Sequence, residues 1–184
     1  MNELIHLNQF DTGIRNSCGQ TCCTMVINSY TLDDRSVVEL SKPLALATGR
    51  FTPIHKMLKM LSAYGVPSVN TMELSLDALA ELLDTRPVIV LVDYRAFTDN
   101  PYRYKFAHFM VAVGYDERGV WMHDPMRKHG PTLFPFEEVE AALDTPSETV
   151  YGTNYPRQGI YPLEPFIFPA AFVEDTDITP ETGV

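Results

Sequence analysis

Apolar positions recur with helical spacing through the first half of the chain and gather into short continuous blocks in the second half. In residues 54–64, Ile54, Met57, Leu58 and Leu61 fall on one face of a helix that opens behind Thr52-Pro53 and stops at Gly65. Helices are also predicted over 19–30, 37–47, 75–83 and 136–143, the last ending before Asp144. Uninterrupted apolar runs at 88–93, 109–115 and 120–123 read as strands, and the turn Asp116-Glu117-Arg118-Gly119 joins the last two as a hairpin. Helices therefore come first and sheet second, which predicts an α+β domain with N-terminal helices packed on a C-terminal antiparallel sheet. No internal repeat or low-complexity block is present.

Composition narrows the class without changing that picture. A chain of 184 residues, 45% of them hydrophobic, has room for one domain with a sizeable core. We place that domain at 1–172 and read 173–184, which holds Glu174, Asp175, Asp177 and Glu181 among Pro and Thr, as an acidic, disordered tail. The formal net charge of −10 argues against a nucleic-acid partner, since phosphate binding needs clustered Lys and Arg, and is more compatible with a cationic one. No stretch is long and apolar enough to span a membrane, and Met1-Asn2-Glu3-Leu4 lacks the regions of a signal peptide, so a cytoplasmic location is expected. The three cysteines make neither a disulfide framework nor a zinc site, and His6, His55, His123 and His129 show no paired ligand spacing. We expect reduced thiols, no metal and no cofactor.

The chemistry is concentrated at Asn16-Ser17-Cys18-Gly19-Gln20, directly before the helix predicted over 19–30. A thiol at a helix start is poised to ionise, because first-turn N–H groups and the helix dipole favour negative charge there. A base is available in Ala107-His108-Phe109-Met110-Val111-Ala112-Val113-Gly114-Tyr115-Asp116, where a histidine opens an apolar strand. The following hairpin ends at Asp124-Pro125 and brings Asp124 back beside His108. Cys18, His108 and Asp124 thus form a candidate nucleophile, base and orienting acid. Cys22 and Cys23, followed by Met25, Val26 and Ile27, read as core, and Asp124 also suits a turn before proline.

The order of these motifs, together with Arg86-Pro87-Val88-Ile89-Val90-Leu91-Val92 ahead of the histidine strand, resembles the papain-fold cysteine peptidases related to the double-glycine leader peptidases of bacteriocin exporters. The resemblance covers nearly the whole chain. It implies a papain-like fold, Cys18 as nucleophile, His108 as general base, Asp124 as its orienting partner and Gln9 as a side chain that helps bind the oxyanion. The family places that glutamine nearer its cysteine than Gln9 lies to Cys18. The implied reaction is acyl transfer from a peptide or isopeptide amide through a thioester, on a peptide or protein substrate.

Residues 94–106, rich in aromatics, join the first strand to the histidine strand and are read as a substrate-facing loop, with Tyr102 and Tyr104 as wall residues and Gly19 beside the nucleophile. A solvated loop whose tyrosines cover the core edge explains the same composition equally well. Two readings of the substrate stand together, a cell-wall bond cut by a phage lysin-type enzyme and a protein-processing site. An inactive papain-fold module that only binds peptide, or an acyltransferase using the same thioester, are the alternatives. The aromatic, proline-rich stretch 151–172 has no counterpart in the resemblance.

Overall fold

The computed structural model describes residues 4–46, 51–100, 107–144, 148–149, 152–153 and 156–166. Helix α1 (Cys18–Thr31) is buried over nearly its whole length, from Cys18 to Ser29. Helix α2 (Val37–Ser41) starts in a reciprocal cap between Ser36 and Glu39. Helix α3 (Ile54–Ala63) buries Met57, Met60 and Leu61, while Ile54 and Leu58 pack at the edge of the same core. After strand β1 (Ser68–Thr71), helix α4 (Leu76–Leu83) is capped by the Ser75 hydroxyl and leads into β2 (Val88–Asp93). Strands β3 (Ala107–Asp116), β4 (Gly119–His123) and β5 (Thr132–Pro135) follow, then α5 (Phe136–Asp144). Two short strands, β6 (Glu148–Thr149) and β7 (Gly152–Thr153), pair with each other, and β8 (Gly159–Pro162) closes the described chain.

Six strands form one antiparallel sheet in the order β1-β8-β2-β3-β4-β5. The alternation of side chains along each strand divides the core in two. Ile89, Leu91, Ala107, Phe109, Val111, Val113 and Ile160 pack with α1 and α3. Val88, Val90, Val92, Met110, Ala112, Val120, Met122 and Phe134 pack with α4 and α5. The sheet is thus covered on both faces, which is why all six residues of β2 are buried and why its apolar run is continuous.

The α+β layout holds, with two differences from the sequence reading. The helix expected over 37–47 ends at Ser41 and continues as a 3₁₀ turn (Lys42–Leu44), because Pro43 cannot donate to an α-helical ladder. Residue 47 lies outside the described residues. Strands β1, β5, β6, β7 and β8 are absent from the sequence reading, since each has four residues or fewer and none carries a long apolar run. The stretch beginning at 151, which lies inside the expected 1–172 domain, contributes β8, inserted between β1 and β2. A Cβ on Gly159 would come within 2.8 Å of Leu74 Cδ2 and 3.3 Å of Val88 Cγ1, so a side chain there would have to displace the buried Leu74. The chain after β8 is tied down where the Tyr30 hydroxyl donates to the Glu164 carbonyl and Arg86 donates to the carbonyls of Pro162 and Leu163. The expected tail at 173–184 lies outside the described residues.

Candidate active site

Helix α1 begins at Cys18 itself. Asn16 stands in the left-handed region at φ 55°, a conformation asparagine tolerates better than most residues. It turns the chain into the helix. Ser17 does not cap α1. Its hydroxyl is instead 3.1 Å from that of Thr12, and it donates to the Gln9 carbonyl at 3.4 Å. The positive end of α1 is therefore not quenched by its N-cap side chain. Burial pushes the Cys18 thiol up, but a hydrogen bond and the charge of His108, with backbone N–H groups of Phe109 and Gly19, outweigh it and bring the thiol below its ordinary range.

His108 is the second residue of β3 and lies at the seam of the two cores. Its neighbours Ala107 and Phe109 belong to the cluster around α1. His108 itself packs edge-on against Tyr94 of the other cluster, ring centroids 5.0 Å apart. Its Nε2 is 2.8 Å from Asp124 Oδ1, which leaves Nδ1 as the nitrogen for Cys18. Desolvation alone would lower the imidazole. The Asp124 and Cys18 hydrogen bonds and charges reverse this and raise it to about 9. A lowered thiol beside a raised imidazole favours thiolate and imidazolium together.

Asp124 is completely buried and follows β4 directly. Burial would raise its carboxyl, yet hydrogen bonds from His108, Tyr94 and the Met126 backbone hold it at about 2. The Met126 N–H donates to Oδ1 at 2.8 Å, and the Tyr94 hydroxyl donates to Oδ2 at 2.6 Å. Arg127 Nε lies 3.4 Å from that second oxygen, and the guanidinium reaches Asp99 as well. Asp124 is therefore fixed through both oxygens.

Gln9 sits in a 3₁₀ turn (Gln9–Thr12) between the two halves of the site. Its N–H donates to the Pro125 carbonyl at 2.8 Å, and its carbonyl accepts from Thr12 at 2.7 Å and from Ser17. Its backbone is thereby held against the loops of both Asp124 and Cys18. Its Oε1 is buried without a hydrogen-bond partner among the described residues. Gly19 is buried, and a Cβ there would stand 3.0 Å from Met57 Sδ and 3.2 Å from Thr52 Cβ. Close packing of α1 against α3 explains the glycine. Tyr102 and Tyr104 lie outside the described residues. The start of their segment is core rather than cleft wall, since Tyr94 and Phe97 are buried and their rings meet edge-on.

Cys22 and Cys23 are fully buried, as read from the sequence. The Cys22 thiol donates to the Phe109 carbonyl at 3.3 Å, and desolvation pushes both thiols well up. His123 points away from the triad and meets His6, Nδ1 to Nδ1, at 3.2 Å. Sequence reasoning missed Tyr94 and Arg127. The signal for Tyr94 was present, because a tyrosine directly behind a wholly apolar strand is buried and its hydroxyl must find an acceptor. Among the described residues no three His, Cys, Asp or Glu side chains are grouped to hold a metal ion.

The layered antiparallel sheet with a cysteine at the start of a buried helix and a histidine on the facing strand is the papain-like cysteine peptidase arrangement. The chain belongs to the Peptidase_C39 like family, whose model matches residues 1–145, so β8 lies outside the match. Among solved structures it is similar to a C39-like peptidase from Bacillus anthracis, with a TM-score of 0.63 and 14% identity over 89% of this chain and 96% of that one. It is also similar to a double glycine motif protease from an AMS/PCAT transporter in complex with the leader peptide, with a TM-score of 0.60, 16% identity, and 88% and 92% of the two chains covered. The peptidase domain of Streptococcus ComA, a bifunctional ABC transporter of a quorum-sensing pathway, matches with a TM-score of 0.60, 15% identity, and 88% and 99% coverage. No curated protein sequence matches the chain. Among the described residues no helix is long and apolar enough to cross a membrane.

Proposed function

We propose that this chain is a thiol-dependent peptidase that cuts a peptide or isopeptide amide with Cys18, His108 and Asp124. The observation that carries this reading is the buried His108–Asp124 hydrogen bond at 2.8 Å, with Cys18 at the start of α1 close enough to the same ring for each to shift the other's titration. The Cys18 thiolate attacks the amide carbonyl carbon, and the oxyanion forms against first-turn N–H groups of α1, with Gln9 beside it. His108 as imidazolium donates its Nδ1 proton to the leaving amine as the C–N bond breaks, leaving a thioester on Cys18. His108, now neutral, takes a proton from water, whose oxygen attacks the thioester. The acid leaves and the thiolate–imidazolium pair is restored. Asp124 holds the imidazole tautomer and stays ionised throughout.

A peptide occupant is supported by the related protease held in complex with a leader peptide. Incubation of the protein with a peptide library, double-glycine peptides and peptidoglycan, read by mass spectrometry, tests the proposal. New amine termini that are absent with Cys18→Ala support it. Transfer to an added amine without free acid moves the reading to an acyltransferase, and no product from any pool favours the peptide-binding module.

A further inference from the structure

Tyr94 is not part of the line just described, yet it touches two of its members. The hydroxyl donates to Asp124 Oδ2 at 2.6 Å and the ring edge packs on His108, ring centroids 5.0 Å apart at 78°. The side chain is wholly buried, and it is delivered by a 3₁₀ turn (Tyr94–Ala96) that Asp93 caps at the end of β2. Asn100 Nδ2 anchors the same turn by donating to the Tyr94 carbonyl at 3.0 Å. Asp124 uses its other oxygen for His108 and the Met126 N–H. Tyr94 thus supplies the short hydrogen bond to the oxygen that His108 does not use.

We propose that Tyr94 is a positioning residue for catalysis: it fixes the Asp124 carboxylate and draws charge from it, so that His108 stays acidic enough to protonate the leaving amine. This rests on the peptidase reading above. A carboxylate whose second oxygen lacked a donor would place more of its charge on the His108 N–H and tighten the imidazolium's hold on its proton. The hydroxyl remains a donor across the working range, since burial, the Asp124 charge and the hydrogen bond to it outweigh the lowering contact of Arg127 and push Tyr94 well up. Among the described residues, the other titratable and charged groups around the pair are Cys18 and Cys22 on α1 and Arg127 behind β4, with Asp99 on that guanidinium. Arg127 faces the same carboxylate oxygen from 3.4 Å, but its Nε makes no hydrogen bond among the described residues. Tyr94 is therefore the closer control on Asp124.

The test is an NMR titration of the His108 ring in the full chain, with iodoacetamide alkylation of Cys18 measured on the same samples. Tyr94→Phe keeps the ring and removes the donor, and the His108 inflection should rise by about half a pH unit or more. Site-specific 3-fluorotyrosine at position 94, a stronger donor of nearly the same shape, should lower it. That opposite shift keeps the test decisive if Tyr94→Phe does not fold. Phe97→Leu loosens the same aromatic cluster, 5.7 Å from the Tyr94 ring, without touching Asp124, and should leave the inflection in place. An unchanged inflection with the fluorinated residue, or an equal rise with Phe97→Leu, overturns the role of Tyr94. Should the wild-type His108 titrate near 6.5 and Cys18 alkylate no faster than a free thiol, the peptidase reading itself fails, which is a different result.

Discussion

Cys18 and Cys22 lie one helical turn apart, are both buried, and have opposite chemistry. His108 and two backbone N–H groups bring Cys18 down, while Cys22 donates to a carbonyl and is pushed up by desolvation and by the charges of Cys18, Cys23 and Asp124. Iodoacetamide at neutral pH should therefore label Cys18 and spare Cys22 and Cys23, as read by peptide mapping. Modification of the three at similar rates would contradict this assignment. With a cleavable peptide in hand, Cys18→Ala should abolish turnover, whereas Gln9→Ala should keep a measurable rate, lower by about 10² to 10³. Loss of less than about threefold in Gln9→Ala would remove that side chain from the oxyanion site. His123 carries a separate prediction, on stability. Burial and the nearby His6 depress its imidazole from 6.5 to about 3, so it is neutral in the fold and takes up a proton readily once unfolded. Its contribution is full above pH 6.5 and is lost as the pH falls from 6.5 toward 3. Thermal melting should show a wild-type Tm that drops between pH 7 and pH 4, with a shallower drop in His123→Asn. Parallel curves would assign the acid sensitivity elsewhere.

The elements place these side chains with little slack. Helix α1 brings its first residue to the seam of the sheet while packing against α3, and the missing side chain at Gly19 leaves room for that contact. Gly19→Ala puts a methyl group 3.0 Å from Met57 Sδ, and we expect a cost of about 1 to 3 kcal/mol, read as a lower denaturant midpoint. A variant as stable as wild type would mean that Met57 swings aside freely. The apolar pattern made α1, α3, α4, α5 and the β2–β3–β4 part of the sheet legible, since each has a sustained period or a continuous run. It did not reveal β1, with the sequence Ser-Val-Asn-Thr, or the four-residue β8, because both are specified by partners distant in the chain rather than by their own composition. The break in α2 was legible in principle at Pro43.

Over the whole molecule, two cores meet along one sheet, and the proposed site lies where they join. Cys18 belongs to one core and Tyr94 to the other, and His108 touches both. Motif order alone gathered Cys18, His108 and Asp124, because a hairpin must return Asp124 to the strand of His108. The longer interval between Gln9 and Cys18 could not be read that way. The structure folds it into a 3₁₀ turn stitched by the Thr12 and Ser17 hydroxyls, with the Gln9 backbone bonded to the Asp124 loop. That Tyr94 is buried with its hydroxyl paired was legible from its place directly behind β2, but its pairing with Asp124, 30 positions away, was not.

The central claim is that Cys18 and His108 exist as a thiolate–imidazolium pair near neutrality. The rate of Cys18 alkylation by iodoacetamide, followed from pH 4 to pH 10 in wild type and in His108→Ala, tests this most directly. Fast alkylation is expected already on the acid side of neutrality, with a further change near pH 9 as His108 loses its proton, and both features gone in His108→Ala. A single rise centred at the ordinary thiol value of about 8.5, identical in the two proteins, would contradict it.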